Sequence, residues 1–474
     1  MTSHQIVSNS LEFRRHRHRE ALVDILRPIV RYITDPLYSR RDGYAYGAHG
    51  RELDRTQWLT PPEISEIQNR RLVDLIQFAY SENDVYRKRM NDAGVVPSDI
   101  KSKQDLQVLP VLQKSDIRAA GVSLFSKNYD ATNTLFTRTG GSTGVPLRVY
   151  IDKEAMNWKY AATWRHNQWA GWSQGTKVAA VWGDTDKKRS LREELRFWLQ
   201  HRMIFLDTLN FTEDKLKKFH SDIRRYKPIV MMGHAHSVYQ FAKFCAENSL
   251  ETPTIGSVVT TAMTLSELER AVIEEALDAK VFNRYGCEEL SIIASEAPEH
   301  VGLHVFSEGL ILEYLPTEID GEFELLVTDL FNKAMPMIRY AIEDIVRPAS
   351  GDCPTGRGLE RLEKVSGRSA DFLYRRDGTP VFGISLLDTY VIHIPGVKQA
   401  QIVQNDFDEF EINVVPSDEF SSRTQQALQE IIFVHFGAQS RVLVNKVNEL
   451  EKTERGKYRF SVCHIDAAER EVRR

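Results

Sequence analysis

One arrangement recurs through the middle of the chain: a short apolar run that ends in Gly, His or a polar residue, then a stretch with helical spacing. The runs are KVAAVWG (177–183), PIVMMGH (228–234), GSVVTTA (256–262) and AKVFNRYG (279–286). Between them lie DKLKKFHSDIRRY, HSVYQFAKFCAEN and LSELERAVIEEAL. Runs this short and apolar read as buried strands, and the intervening 3.6-residue periodicity reads as helices. Strands that alternate with helices predict an α/β chain built on a mainly parallel, helix-covered sheet. On such a sheet, functional residues fall just past the carboxyl ends of the strands.

The flanks differ. In ALVDILRPIVRYI, residues Leu22, Ile25, Leu26, Ile29 and Ile33 keep helical spacing across Pro28, so residues 1–60 read as a helical extension. RRHRHRE before it, with His16 and His18, reads as a solvated helix start or arm. A second helical segment runs from Leu72 to Met90. After residue 305, LILEYL and GEFELLVTDL read as strands joined through a Gly-containing turn. VKQAQIVQ, EFEINVV, the helical TQQALQEIIFVHF and RVLVNKV then make a small α+β unit. The predicted organisation is a large domain over 1–367 and a small one over 368–474.

At 474 residues the chain is long enough for two or three domains with large cores. Lys plus Arg number 62 against 66 for Asp plus Glu, which lacks the basic surplus of a nucleic-acid binder. Four scattered cysteines, Cys245, Cys287, Cys353 and Cys463, make no disulfide framework. No apolar run reaches the length of a transmembrane segment and the N-terminus has no secretory pattern, so a cytoplasmic enzyme is expected.

The segment LFTRTGGSTGVPLRVYI (135–151) places Thr139-Gly140-Gly141-Ser142-Thr143-Gly144 between two strand-like runs. Glycines let several backbone N–H groups converge, and hydroxyls add donors, which suits a phosphate. The lysine of a Walker loop is missing, since Val145-Pro146-Leu147 follows. Alone, the same composition serves a plain hairpin turn.

It is not alone. TGGSTG, RYGCEE, IRYAIED, SGRSAD and RGKYRF follow one another in that order. The series resembles the adenylate-forming superfamily of acyl-CoA synthetases, firefly luciferase and nonribosomal peptide adenylation domains. DVYRKRM (84–90), TTAMTL and CPTGR make it look closest to the phenylacetate–CoA ligase branch and its capsular-polysaccharide-biosynthesis relatives. The resemblance spans roughly residues 70 to 460 and implies a large N-terminal domain with a small, mobile C-terminal one.

Carried over position by position, the resemblance makes Thr139–Gly144 the loop that grips the ATP phosphates, with Arg148 sharing the charge. It puts Tyr285 on adenine, Gly286 beside it, and Glu289 on Mg²⁺, with Glu288 in place of the usual Thr. Thr261 and Ala262 would lie against the adenine through their backbone, Met263 replacing a Glu. Asp344 would bind the ribose hydroxyls, although Ile342-Glu343 replaces Thr-Gly and the turn is expected to differ. Arg368 matches the arginine of the domain junction, and Ala370 stands at the usual hinge position, beside Ser369 and Asp371. Lys457 matches the catalytic lysine, a cation that brings the carboxylate and the α-phosphate together.

By the same match the acyl pocket involves Trp182, His234 and His236; the histidines read equally as satisfied strand-end residues, and the plainer reading of Trp182 is ordinary core packing. Relatives on this branch bind structural zinc, but Ala297 and Thr355 stand where two cysteines would be. His304 and Cys353 remain, Cys287 is a candidate third ligand, and no zinc is expected. The implied activity is ATP-dependent formation of an acyl-adenylate from a carboxylic acid, aromatic or small, then transfer to coenzyme A. An amine or a carrier protein acting in trans is the alternative acceptor. A degenerate, non-catalytic nucleotide-binding relative is the competing reading, supported by Glu288, Met263, Glu343 and Ala370 and opposed by Glu289, Asp344, Arg368 and Lys457.

Overall fold

The computed structural model describes residues 24, 26–44, 46–138, 147–182, 190–207, 213–262, 265–317, 319–368, 372–378, 380–382, 386, 390–391, 394–450 and 461–466. A hairpin comes first, β1 (Leu135–Arg138) with β2 (Arg148–Ile151). The strands β3 (Val178–Trp182), β4 (Met203–Asp207), β5 (Val230–His234), β6 (Ser257–Thr261) and β7 (Lys280–Cys287) follow. After them come β8 (Ser291–Glu296), β9 (Leu303–Val305), β10 (Leu310–Pro316), β11 (Phe323–Asp329), β12 (Tyr340–Pro348) and β13 (Arg361–Arg368).

Among the described residues, β3 to β13 join in one sheet of order β10-β11-β12-β13-β9-β8-β7-β6-β5-β3-β4. From β4 to β7 every pairing is parallel. From β7 onward the pairings are antiparallel. Each parallel step is bridged by a helix: Leu191–His201, Glu213–Tyr226, Ala235–Glu247 and Glu267–Leu277. Met231, Val258 and Val281 pack against these helices on one face, while Val259, Phe282 and Ala170 form a smaller apolar cluster on the other. The alternation follows from side chains pointing to opposite faces at successive strand positions. Ser266 starts one crossover helix with a capping box to Glu269, which satisfies two end donors at once.

Two segments differ from the sequence reading. The helical stretch from Leu72 to Met90 is two helices, Pro61–Glu82 and Asp84–Asp92. Asn83 breaks it because its side chain accepts from Tyr86 N at 3.1 Å and donates to Leu124 O at 2.8 Å, fixing a corner. The strand β4 was not anticipated; it is a short edge strand, a position with weak patterning.

The remaining strands are β14 (Phe372–Tyr374), β15 (Pro380–Phe382), β16 (Val397–Asp406), β17 (Glu409–Pro416), β18 (Arg441–Lys446) and β19 (Ser461–Cys463). A four-stranded sheet of order β18-β17-β16-β19 carries the helix Ser422–Phe436, whose Leu428, Ile432 and Phe436 pack on Ile402, Phe410 and Ile412. Among the described residues no helix is long and apolar enough to cross a membrane.

The helix Lys153–Trp169 crosses the back of the large sheet and is lined with buried polar residues. His166 on it is buried, stacks on Trp169 with ring centroids 4.5 Å apart, and has no hydrogen-bond partner at either ring nitrogen among the described residues. Burial, reinforced by Arg165 and Arg284, holds its pKa well below the ordinary value of 6.5. The folded chain therefore keeps this ring neutral while the unfolded chain takes up a proton, so stability drains as pH falls below 6.5, by at most about 1.4 kcal/mol per pH unit from this group. Replacing it with an apolar ring, His166→Phe, should flatten the acid limb of a plot of Tm against pH. An unchanged slope would contradict the assignment.

Candidate nucleotide and acid site

The segment Tyr285–Glu289 closes β7 and turns into β8. A bulge between Tyr285 and Gly286 re-aims the strand end. Gly286 is needed there, since a Cβ would lie 2.2 Å from the Ser291 carbonyl oxygen. Tyr285 is buried and its hydroxyl donates to Asp344 Oδ2 at 2.7 Å. Asp344 lies on β12 opposite Arg368 of β13 in register, so the backbone brings these two motif positions side by side. The Arg368 side chain lies outside the described residues.

Glu289 is 5% exposed, and its Oε1 accepts from the Tyr340 hydroxyl at 2.9 Å. Burial and then the nearby Glu289 charge push the Tyr340 hydroxyl far above its usual range, so it stays a donor. Cys287 is pushed up by the same two causes and is an inert thiol. Behind the turn, Lys159 Nζ pairs with Asp329 Oδ2 at 2.8 Å, both side chains being at most 3% exposed, and reaches the Glu289 carbonyl oxygen at 3.4 Å.

Two substitutions noted in the sequence have compensations. Glu288, in place of a threonine, accepts from Thr137 Oγ1 of β1 at 2.8 Å. The hydroxyl therefore comes from the strand that leads into the Gly-rich segment. Glu343, in place of a glycine, has φ +64°, the left-handed region that favours glycine. Lys114 Nζ holds the Glu343 carboxylate at 2.6 Å. Ala262 shares the left-handed conformation, with φ +69°, just past Thr261 at the end of β6.

His234 ends β5 with its ring 4.5 Å from that of Trp182 at the end of β3. His236 sits in the next helix, where Nδ1 is 3.1 Å from Glu269 Oε1 and Nε2 is 3.1 Å from Gln240 Nε2. The structure thus groups Trp182 with His234 and ties His236 to Gln240 of its own helix and to Glu269 of the next one. Thr139, Gly140, Gly141, Ser142, Thr143, Gly144 and Lys457 lie outside the described residues; β1, β2 and β19 flank them. Sequence reasoning missed Tyr340, although IRYAIED contains it, and missed Lys159, Asp329 and Lys114, which carry no motif.

The half zinc site resolves differently from its sequence reading. Its third member is Glu299, not Cys287: donor atoms of Glu299, His304 and Cys353 lie within 4.8 Å of one another. This set does not fit a structural zinc, because the Arg357 guanidinium already sits on Glu299 at 2.5 Å and Thr355 Oγ1 bonds the same oxygen at 2.8 Å. Burial holds His304 down to about 4, so it is a neutral partner in this cluster. A cavity of about 470 Å³ lies elsewhere, between the N-terminal helices and the helix Lys153–Trp169, and none of the motif residues lines it.

Comparison with known proteins agrees with this geometry. Residues 373–463 match the family model of the CapK C-terminal domain. Protein CapK of Staphylococcus aureus is 23% identical over 418 residues, covering 85% of this chain and 90% of that protein. Phenylacetate-coenzyme A ligase of Escherichia coli (strain K12) is 26% identical over 356 residues, covering 72% and 79%. A crystal structure of 2-hydroxyisobutyryl-CoA ligase, in the postadenylation state with 2-HIB-AMP, superposes with a TM-score of 0.68 at 18% identity. It covers 88% of this chain and 93% of that one. The fold is that of the solved CoA ligase. In sequence the chain is similar to phenylacetate-coenzyme A ligases and to Protein CapK, at 23–26% identity.

The Lys159–Asp329 pair gives a direct test of what supports the site. Lys159→Met leaves a buried carboxylate alone and should cost about 3–5 kcal/mol in urea unfolding. Adding Asp329→Leu should recover most of that loss. Equal losses in the single and double variants would contradict the pairing.

Proposed function

We propose that the chain activates a carboxylic acid with ATP and hands the acyl group to a second substrate, coenzyme A first among the candidates. A carboxylate oxygen attacks the α-phosphorus, the bond to the β-phosphate oxygen breaks, and pyrophosphate leaves. The acceptor, a thiol or amine, then attacks the acyl carbon, AMP departs, and the acceptor's proton goes to solvent. The observation that carries this reading is the convergence of Tyr285, Asp344 and Glu289 at one strand end, tied through Glu288 to the strand before the Gly-rich segment.

In this reading Asp344, positioned by the Tyr285 hydroxyl, accepts from the ribose hydroxyls, and the Tyr285 ring lies against adenine. Thr261 and Ala262 border the base with their backbone. Glu289, with one oxygen fixed by Tyr340, would hold Mg²⁺, a hard cation that neutralises phosphate charge when bound. The residues Thr139–Gly144 would donate to the phosphates. Arg368 would reach the ribose or α-phosphate from the junction of domains 1–367 and 368–474. Lys457, on the small domain, would sit between the two reacting anions and leave for the second step. Trp182 and His234 would border the acid, and a carrier protein in trans would be the alternative acceptor.

The test is exchange of labelled pyrophosphate into ATP across panels of aryl, aliphatic and amino acids. Acid-dependent exchange is expected, lost in Lys457→Ala. Asp344→Asn should raise KM for ATP by roughly 10- to 100-fold, the worth of hydrogen bonds to a charged group. ATP binding without exchange for any acid would favour a non-catalytic nucleotide-binding protein.

A further inference from the structure

Four residues form one lateral row across adjacent parallel strands, at the carboxyl ends of β3, β5 and β6 and where the parallel pairing of β7 ends. The pair Val181↔Gly233 puts Trp182 beside His234, His234 is the register partner of Thr261, and Thr260↔Asn283 puts Thr261 beside Arg284. Alternation along the strands places all four on the face that carries Val259 and Phe282. The row stands at the position where open α/β sheets hold their ligands.

Arg284 is the member that has no counter-charge among the described residues. Its Nη2 donates to Asn167 Oδ1, and its Nε is buried with no hydrogen-bond partner among the described residues. Among the described residues no carboxylate pairs with it; Arg165 close by is engaged with Glu308. Burial alone pushes the Arg284 guanidinium down to about 10. A guanidinium remains charged in a protein, and leaving it desolvated without an anion is costly, so a group that arrives with the ligand is the natural partner. The next residue in the chain is Tyr285, which binds Asp344, so Arg284 and the nucleotide residues share one strand end.

We propose that Arg284 recognises a second carboxylate on the acid substrate, so that the acid this chain activates is a dicarboxylic acid. One carboxylate would go to the α-phosphate while the other forms a two-pronged ion pair with Arg284, against the Trp182–His234 wall. This rests on the ligase reading above and narrows its substrate class.

The experiment compares acids matched in length: succinate with butyrate, glutarate with valerate, terephthalate with 4-methylbenzoate. Pyrophosphate exchange and the ligand-induced rise in Tm are both read, in wild type, Arg284→Met and Arg284→Lys. The wild type should favour the dicarboxylates by at least about tenfold in kcat/KM. Arg284→Met should erase that ratio and Arg284→Lys should retain part of it. Without ligand, Arg284→Met should melt no lower than wild type, because it removes an unpaired buried charge. A wild type that prefers monocarboxylates, or a ratio that survives in Arg284→Met, overturns the proposal, and a ligand-free loss of stability in Arg284→Met alone makes Arg284 a structural strut to Asn167. If no acid supports exchange, the ligase reading fails separately, and Arg284 is judged by Tm: dicarboxylates that stabilise wild type but not Arg284→Met uphold it, and equal stabilisation refutes it.

Discussion

The helix Lys153–Trp169 buries two cations, and the site is assembled around their partners. Lys159 meets Asp329 at the end of β11, while Arg165 meets Glu308 through Nη1 at 2.5 Å and Nη2 at 3.1 Å. Glu308 also accepts from Thr56 Oγ1 at 2.6 Å, which ties the helix Tyr46–Thr56 to the same point. Charges this deep are tolerated only as hydrogen-bonded pairs, so each fixes its neighbours in place. The start of the helix is held equally firmly. Its cap Asp152 accepts from Ala155 N at 2.9 Å and from Lys333 N at 2.7 Å, and Asn332 Nδ2 donates to Tyr150 O at 3.0 Å. The strand that leaves the Gly-rich segment, the turn carrying Glu289 and the end of β11 therefore form one rigid knot.

From that knot follows a division of labour along the sheet. The parallel half offers strand ends, where Trp182, His234, Thr261 and Arg284 stand in a row. The antiparallel half brings Asp344 and the backbone of Arg368 across to Tyr285. One strand, β7, belongs to both halves, and Arg284 and Tyr285 are consecutive on it. In the proposed function, an acid site and a nucleotide site would share this strand, which suits a reaction that joins an acid to a nucleotide.

Much of this was legible in the sequence, for stated reasons. The alternation of apolar runs and helical stretches predicted β3, β5, β6 and β7, because strands buried on both faces are apolar throughout. Ordered motifs pointed to Tyr285, Glu289 and Asp344, and the structure brings Tyr285 to Asp344 directly. What the sequence could not show were partners distant in the chain: Thr137 serving Glu288, Lys114 holding Glu343 in a glycine-type backbone, and Lys159 beneath Glu289. A lysine on a helix looks the same in sequence whether it is solvated or buried. Glu299 entered the His304–Cys353 cluster for the same reason, since only the folded strands and loops bring it there.

The most direct test of the account is a crystal structure of the full chain with AMP bound. The ribose is predicted on Asp344, the base against Tyr285 and Ala262, and the phosphate directed toward the Glu289 side of the turn. AMP seated in the cavity beneath the N-terminal helices, with Asp344 and Tyr285 still bonded to each other and untouched by the nucleotide, would contradict it.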